Sequence, residues 1–352
     1  MELKARDGYG VRLLEGERDQ ARFEKLVDLS FGLEANQRFV SDFPVWAETT
    51  NPSVFKLGAF NGNELIGAVG LRVTCLKEYP KIRVGIIGAV CTHPEWRGKG
   101  VARTLIRLSE ELAQDKEVSL LVLWSNQHVF YEKLGFGACG VQIQAPLEKV
   151  ASKLQCDSSY KVIEGFDYGV FELMKKRPMG CELRNSDFQW MDSHQGTRWY
   201  RAEDADGTIV GYIAYEKGID LKKIVHDWSG RSEAVVQLMR HLIQKDSDAQ
   251  ILFGLHHFRE WSLEADESFQ PSHLCMSKVL HPEKLFETFA QTAGVSVAKD
   301  VEGLWYFDTE VEKLGALKDS DLGCLFFGPQ QQWKFLGGYL PVEFWFWGTD
   351  SA

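Results

Sequence analysis

The sequence predicts a mixed α/β protein with more than one domain. Short apolar runs rich in β-branched residues, typical of buried strands, alternate with segments that carry apolar residues at helical spacing. At 352 residues the chain is also longer than one compact α/β domain of this type requires. Because 44% of the residues are apolar and no tract is of low complexity, we expect globular structure throughout.

The first 150 residues predict the order β, α, β, β, β, α, β, α, β. These predictions rest on periodicity and on turn residues such as those of the hairpin turn at 61–63. The predicted segments are, in chain order, a strand at 11–14, a helix at 19–31, strands at 54–60, 64–73 and 84–90, a helix at 101–112, a strand at 118–124 and a short helix ending near 135.

The most informative stretch joins the predicted strand at 84–90 to the predicted helix at 101–112. It contains Gly98 and Gly100, which permit a tight turn and bring backbone N–H groups close to a ligand. The helix that follows adds unpaired donors and the positive end of its dipole. The sequence therefore predicts a site for an anionic oxygen such as a phosphate. It is not a common nucleotide motif, because neither G-x-G-x-x-G nor G-x-x-x-x-G-K-[ST] can be aligned.

Two motifs carry a resemblance to a known family. Arg97-x-x-Gly100-x-Ala102 resembles the R/Q-x-x-G-x-G/A acetyl-CoA signature of the GNAT superfamily of N-acetyltransferases. The segment FYEKLGF at 130–136 resembles the F-Y-x-x-x-G-F element that follows the cofactor strand in the same superfamily. The predicted strand edge can pair with the pantetheine arm, whose amides need strand-like partners. The residues expected to bind acetyl-CoA are Val90, Cys91, Thr92, Arg97, Gly98, Lys99, Gly100, Val101, Ala102 and Asn126.

The expected roles of Asn126 and Cys91 differ from those of the other residues. Asn126 stands nearer to Tyr131 in sequence than the corresponding Asn of many simple GNAT domains, which leaves its contact with the cofactor open. Cys91 is predicted to be a buried strand cysteine and not a nucleophile, because no base is visibly paired with it.

The resemblance implies transfer of an acetyl group from acetyl-CoA to a primary amine. The amine must lose a proton before it attacks, and the leaving thiolate must gain one. We predict that Tyr131 protonates the thiolate; a packed, non-catalytic tyrosine is the alternative. The sequence identifies no clear base, because 84–92 contains no Asp or Glu and His93, before Pro94, is expected to stabilise the turn or to be exposed.

The middle of the chain repeats the order of the first domain. A hairpin at 199–215 precedes a predicted strand at 221–227 and a helix at 232–243. The turn predicted at 227–231 has one glycine and places Asp227 where phosphates would lie, so cofactor binding there is not expected. We predict that this region is a scaffold that completes the substrate cleft; an independent catalytic site is the alternative. The basic stretch 174–180 before it is predicted to be a turn or linker.

The whole organisation resembles multidomain acetyltransferases of the enhanced intracellular survival (Eis) type, which consist of tandem GNAT-type domains and a smaller C-terminal α/β unit similar to a sterol carrier fold. In that type the chain's terminal carboxylate lies in the active site, so the resemblance nominates Ala352 as the base. The predicted domains are 1–150, an acetyl-CoA-binding GNAT domain; 151–271, a degenerate GNAT-like domain; and 272–352, the small C-terminal unit. Trp345 and Trp347 near the end are predicted to pack in a core. Self-association into a homo-oligomer is implied by the same resemblance.

Charge and composition limit the classes of partner and substrate that we expect. The net charge of −10 and the lack of a basic cluster argue against nucleic acid and mildly favour cationic substrates. The amine stays open between a small polyamine, an aminoglycoside, a protein lysine and an N-terminus. In the loop 32–50, Glu34, Asp42 and Glu48 could line an amine site or be solvated. A non-catalytic acyl-CoA-binding sensor or scaffold module is the alternative function.

The remaining features concern cysteines and membranes. The seven cysteines are scattered, with no C-x-x-C and no His partner at ligand spacing, so reduced thiols and no metal are expected. No apolar run reaches the roughly 20 residues that cross a bilayer, and the N-terminus lacks a signal-peptide apolar region. We therefore predict a cytoplasmic protein that does not bind membranes.

Overall fold

The computed structural model describes residues 2–4, 8–156, 159–289, 296–308, 313–329 and 341–351. Within them the strands are, in chain order, β1 (Glu2–Lys4), β2 (Gly10–Leu13), β3 (Val54–Asn61), β4 (Glu64–Cys75), β5 (Arg83–Thr92), β6 (Leu120–Leu123), β7 (Gly137–Cys139), β8 (Gln142–Pro146), β9 (Lys161–Glu164), β10 (Arg198–Glu203), β11 (Ile209–Tyr215), β12 (Ile224–Gly230), β13 (Gln250–Gly254), β14 (Gln270–Ser272), β15 (Cys275–Val279), β16 (Ser296–Lys299), β17 (Trp305–Asp308) and β18 (Lys313–Leu317). The α-helices are α1 (Gly16–Phe31), α2 (Phe39–Asp42), α3 (Val101–Asp115), α4 (His128–Glu132), α5 (Leu147–Ala151), α6 (Tyr168–Met174), α7 (Phe188–Asp192), α8 (Ser232–Lys245), α9 (Leu255–Glu260), α10 (Pro282–Phe289) and α11 (Asp319–Phe327). The predicted mixed α/β class is confirmed.

The chain forms two compact units, which we call unit 1 (1–140 and 275–342) and unit 2 (141–274 and 343–351). Unit 1 contains a sheet in the order β1-β2-β3-β4-β5-β6-β15-β7 and a smaller sheet β16-β17-β18. Unit 2 contains a sheet in the order β14-β8-β13-β12-β11-β10-β9. The division into three domains stays a prediction, because compactness does not establish which segments fold alone.

The sheet of unit 1 is covered on both faces. On one face, α3 packs Val101 and Leu105, which are 1% and 0% exposed, against the place where Gly67 lacks a side chain. On the other, the ring of Trp46 fills the space above Gly70, where a Cβ would lie 2.2 Å from the ring. The sequence pattern explains this, because the apolar residues of α3 recur at helical spacing and so form a single buried stripe.

Unit 2 contains the predicted hairpin, strand and helix as β10–β11, β12 and α8. The turn predicted at 227–231 is wrong, since β12 continues to Gly230 and the Asp227 carboxylate is fully buried. The basic stretch 174–180 is the end of α6 followed by a turn, as predicted. Arg177 within it is 1% exposed, and its donation to Asp227 across 2.5 Å offsets the cost of burying its charge. Trp345 and Trp347 are each 1% exposed, as predicted for core residues.

Among the described residues, no helix is long and apolar enough to span a membrane.

Candidate active site

The site is positioned by two parallel strands of unit 1 that separate. β5 pairs with β6 from Val84 opposite Leu120 to Ile86 opposite Val122. β5 then continues to Thr92, and in the part of the chain that the structure describes no strand pairs with this edge beyond Ile86. Backbone N–H and C=O groups in such an edge need partners, and an extended ligand with amides can supply them.

A β-bulge interrupts β5 just before this open edge. The register against β4 shifts between Ala68, which faces Cys91, and Gly70, which faces Gly88. Ala89 lies in the extra segment with a φ of +50°, a left-handed conformation that is uncommon for a residue with a side chain. Such bulges bend a strand and change the direction of the residues that follow, here Val90 to Thr92.

The glycine loop after β5 is exposed from Arg97 to Gly100. Gly98 and Gly100 have φ values of +77° and +81°, and a Cβ at either would meet nothing within 4 Å. The loop therefore has the left-handed turns that favour glycine and leaves open space beside them. α3 begins at Val101, directly after Gly100, so its unpaired first-turn N–H groups lie next to that space.

His93 stabilises this loop, as the sequence predicted. Its Nδ1 accepts from the backbone N–H of Glu95 at 3.4 Å, at the start of the 3₁₀ turn Pro94–Trp96. Its own backbone N–H donates to the carbonyl of Ile66 at 2.9 Å.

Two contacts that sequence reasoning missed hold the loop from outside. The Arg97 guanidinium donates to the backbone carbonyl of Ser30, at the end of α1, across 3.0 Å. Tyr9 donates through its hydroxyl to Thr104 in the first turn of α3, at 3.0 Å, and its ring lies edge-on to Trp96. Neither could be found by motif, because both partners are distant in sequence.

Tyr131 lies on α4, the short helix that follows β6. Its side chain is 7% exposed and belongs to the same apolar cluster as Val101 and Leu105 of α3. Because the carboxyl ends of neighbouring parallel strands meet at one edge of a sheet, α4 and the glycine loop lie at the same edge. Burial raises the pKa of Tyr131 to about 12, and a hydrogen bond with the side chain of Ser125 partly offsets that rise.

The other predicted residues differ in environment. Asn126 is exposed at the end of β6 and accepts from the side chain of Gln127 at 3.3 Å. Cys91 is 4% exposed, and burial raises its pKa to about 12, which disfavours a thiolate nucleophile. Glu34 is exposed to solvent. Ala352 lies outside the described residues. Within those residues, no group of three or more His, Cys, Asp or Glu side chains could hold a metal ion.

Residues 54–137 match the family model described as an acetyltransferase (GNAT) domain. Comparison with curated protein sequences gives no match. Among solved structures, a GCN5-related N-acetyltransferase from Kribbella flavida is 17% identical with a TM-score of 0.59, over 90% of this chain and 86% of that one.

Two further structures are similar over comparable lengths. A GCN5-related N-acetyltransferase from Anabaena variabilis is 13% identical with a TM-score of 0.58, over 90% of each chain. Eis1 from Mycobacterium abscessus is 13% identical with a TM-score of 0.58, over 91% of this chain and 89% of that one. The resemblance predicted from two motifs is thus confirmed: residues 54–137 match a GNAT acetyltransferase domain, and the chain shares its fold with Eis1 and with the two GCN5-related N-acetyltransferases.

Proposed function

We propose that this protein transfers the acetyl group of acetyl-CoA to a primary amine, and that the Tyr131 hydroxyl donates a hydrogen bond to the departing sulfur. The observation that carries the proposal is the edge of β5 beyond Ile86, with which no strand of the described residues pairs, followed directly by the exposed glycine loop. Both features occur in a GNAT domain and at the sheet edge where α4 places Tyr131.

The binding part of the proposal uses main-chain groups. Val90 to Thr92 offer a strand edge to the pantetheine amides, on which the Thr92 carbonyl already accepts from the Ser30 hydroxyl at 3.4 Å. The loop from Arg97 to Gly100 offers its backbone to the pyrophosphate, helped by the first turn of α3. Support comes from the open space at Gly98 and Gly100. Lys99, whose ammonium lies 4.5 Å from the ring centroid of Trp96, adds a cation at the loop. Asn126, exposed at the end of β6, is included as a further cofactor contact.

The raised pKa of Tyr131 defines what this residue can do. At neutral pH the phenol is always protonated and can donate. Full proton transfer to a thiolate, whose ordinary pKa is about 8.5, is uphill from a phenol of that pKa. Tyr131 is therefore most effective as a hydrogen-bond donor to the sulfur while negative charge develops on it. The sulfur then leaves as a thiolate and takes its proton from solvent. Ala352 stays the candidate for the base.

The test is release of free thiol from acetyl-CoA in the presence of polyamines, aminoglycosides and lysine peptides. With the preferred amine, we expect Tyr131→Phe to lower kcat by about 100-fold and to leave the KM for acetyl-CoA within about twofold. Wild-type kcat should rise with pH as the amine loses its proton, without a decline below pH 10, because burial raises the pKa of Tyr131 to about 12.

Two other results would redirect the assignment. Tight acetyl-CoA binding without thiol release on any amine would favour a non-catalytic acyl-CoA-binding module. Full activity of Tyr131→Phe would contradict the assigned role while keeping the transferase function. Small-molecule or protein amine substrates, a homo-oligomeric state and a cytoplasmic location stay predictions, and the amine panel addresses the first of these.

A further inference from the structure

A strand from the distal part of the chain lies inside the sheet of the GNAT domain. β15 is placed between β6 and β7, with Met276 opposite Leu123 and Cys275 opposite Cys139. It therefore lies beside β6, the strand that leads into α4. Lys278 of β15 has a side chain that is only 16% exposed. A buried cation is costly unless it is paired and hydrogen-bonded, so its partners indicate why it is there.

The Lys278 ammonium has two close partners on different elements. It pairs with the Glu110 carboxylate of α3 at 2.9 Å, and the Glu110 side chain is 15% exposed. It also donates to the backbone carbonyl of Leu134 at 2.8 Å. Its Cε lies 3.2 Å from the place a Cβ would take on Gly135, so the lysine stem runs directly against the turn after α4.

That turn holds Tyr131 by the main chain. The backbone N–H groups of Leu134 and Phe136 both donate to the carbonyl of Tyr131, at 2.9 and 3.1 Å. The rings of Phe136 and Tyr131 have centroids 5.9 Å apart in an edge-to-face arrangement. Lys278 thus contacts the peptide unit that lies between the two donors, and its ammonium lies 6.0 Å from the Phe136 ring centroid.

We infer that Lys278, with Glu110 as its counter-ion, is a positioning residue for acetyl transfer: it fixes the turn at Leu134 that orients Tyr131. The inference rests on the proposed function. Lys278 does not touch the reacting atoms, and its effect passes through the carbonyl of Leu134. Small displacements of a reacting group cost large factors in rate, which is why a fixed turn matters here.

The experiment compares Lys278→Met, Lys278→Arg and, as a control at a more exposed ion pair, Arg83→Met. Arg83 also bonds a carbonyl at a helix end, that of Lys116 at 2.8 Å, and faces a carboxylate, that of Glu117, but on other elements than α4 and its turn. We expect Lys278→Met to lower kcat by about tenfold with the KM for acetyl-CoA within about twofold. Lys278→Arg should recover most of the loss, and Arg83→Met should retain kcat within about twofold.

A merely structural role is separated by combining variants. In a Tyr131→Phe background, we expect Lys278→Met to cause no further loss of kcat, because its effect requires the phenol; a general destabilisation would add to the loss. Amide hydrogen exchange of 130–136 supplies a readout that needs no activity. Exchange at Leu134 and Phe136 should be faster in Lys278→Met than in wild type or Arg83→Met.

The inference and the proposed function fail in different ways. An active wild type with unchanged kcat in Lys278→Met would overturn the inference alone. Absence of thiol release from wild type would overturn the proposed function. In that case unchanged exchange at 134–136 would overturn the positioning of the turn as well, whereas faster exchange would support it.

Discussion

Each of the two units contains a pair of parallel strands that separate toward their carboxyl ends. The units differ in what lies beside the strands after they separate. In unit 1, β5 and β6 pair only as far as Ile86, and the described residues leave the edge of β5 beyond that point without a strand partner. In unit 2, β12 and β13 pair only as far as Val225. Directly after Val225, β12 contacts the segment 343–351, which we call the terminal segment. The backbone N–H of Gly348 in this segment donates to the carbonyl of His226 at 2.9 Å.

Three glycines permit the terminal segment to pack closely within unit 2. A Cβ on Gly348 would lie 2.3 Å from His226, and one on Gly254, the last residue of β13, would lie 2.9 Å from Trp345. A Cβ on Gly180 would lie 2.7 Å from Trp347. These glycines come from separate parts of the sequence and all permit close approach of one segment. The terminal segment is therefore an integral occupant of unit 2.

Buried charges hold the same segment. Arg177 bridges Asp227 on β12 and Asp350 on the terminal segment, and all three side chains are at most 1% exposed. Lys217 donates to the carbonyls of Gly348 and Ser351 at 2.8 and 2.7 Å.

The space that remains beside these contacts is small. A cavity of about 100 Å³ borders Trp228, Trp261 and Trp347, whereas pockets for small molecules usually have about 300–1,000 Å³. Unit 2 therefore differs from unit 1 because the terminal segment occupies the space between its separated strands. The acid at position 227 contributes by anchoring the occupant, not by repelling phosphates.

The largest expected effect comes from removing the cation that anchors the terminal segment. Arg177→Met leaves Asp227 and Asp350 buried without their common partner, and we expect it to lower the free energy of unfolding by about 3–5 kcal/mol. Denaturant unfolding followed by tryptophan fluorescence measures this, because Trp345 and Trp347 lie on the segment. Arg198→Met, which removes a surface pair with Glu164 in the same unit, should cost less than about 1 kcal/mol. Equal effects of the two variants would contradict an anchoring role for Arg177.

The second effect concerns ligand binding and separates the two units. Gly100→Ala puts a methyl group into the open space beside the loop, and we expect the Kd for acetyl-CoA to rise by about 10–30-fold. Gly62→Ala is the control within unit 1, since Gly62 also has a positive φ, +57°, and nothing within 4 Å of its Cβ position. It shares the backbone strain and should keep the Kd within about twofold, as measured by titration calorimetry.

The matched position in unit 2 sharpens the same comparison. Gly230 ends β12 just before α8, as the glycine loop ends just before α3, but a Cβ on Gly230 would lie 2.3 Å from the carbonyl oxygen of Val210. Gly230→Ala should therefore lower stability and leave acetyl-CoA affinity unchanged. A weaker affinity in a folded Gly230→Ala protein would indicate a cofactor site in unit 2.

The sequence was sufficient where the signal is local. The helix α3 begins at Val101 as its periodicity predicts, and the hairpin of β3 and β4 turns at the predicted Asn61–Asn63. The glycine loop and the FYEKLGF segment also lie where a strand and a short helix were expected. Each of these elements is specified by residues within one turn or one strand length, so pattern and turn chemistry determine them.

The sequence was insufficient where distant segments meet. β15 enters the first sheet from beyond residue 274, and its short apolar run does not specify which strand it pairs with. Arg177 carries a charge that predicts exposure, and only the placement of Asp227 and Asp350 explains its burial. Ser125, which bonds Tyr131, follows β6 without any motif of its own.

The smallest expected effect concerns Ser125, which follows β6 and whose hydroxyl forms a hydrogen bond with Tyr131. The hydrogen bond from Ser125 lowers the pKa of Tyr131, so Ser125→Ala should raise that pKa further and weaken the phenol as a donor. We expect kcat for acetyl transfer to fall by about threefold. Ser109→Ala is the matched control, because it removes a buried hydroxyl that bonds the carbonyl of Leu105 within α3 at 2.9 Å. If both variants lower kcat equally, Ser125 acts through general stability; if only Ser125→Ala does, the end of β6 in unit 1 contributes to the chemistry, whereas the end of β13 in unit 2 packs against the terminal segment.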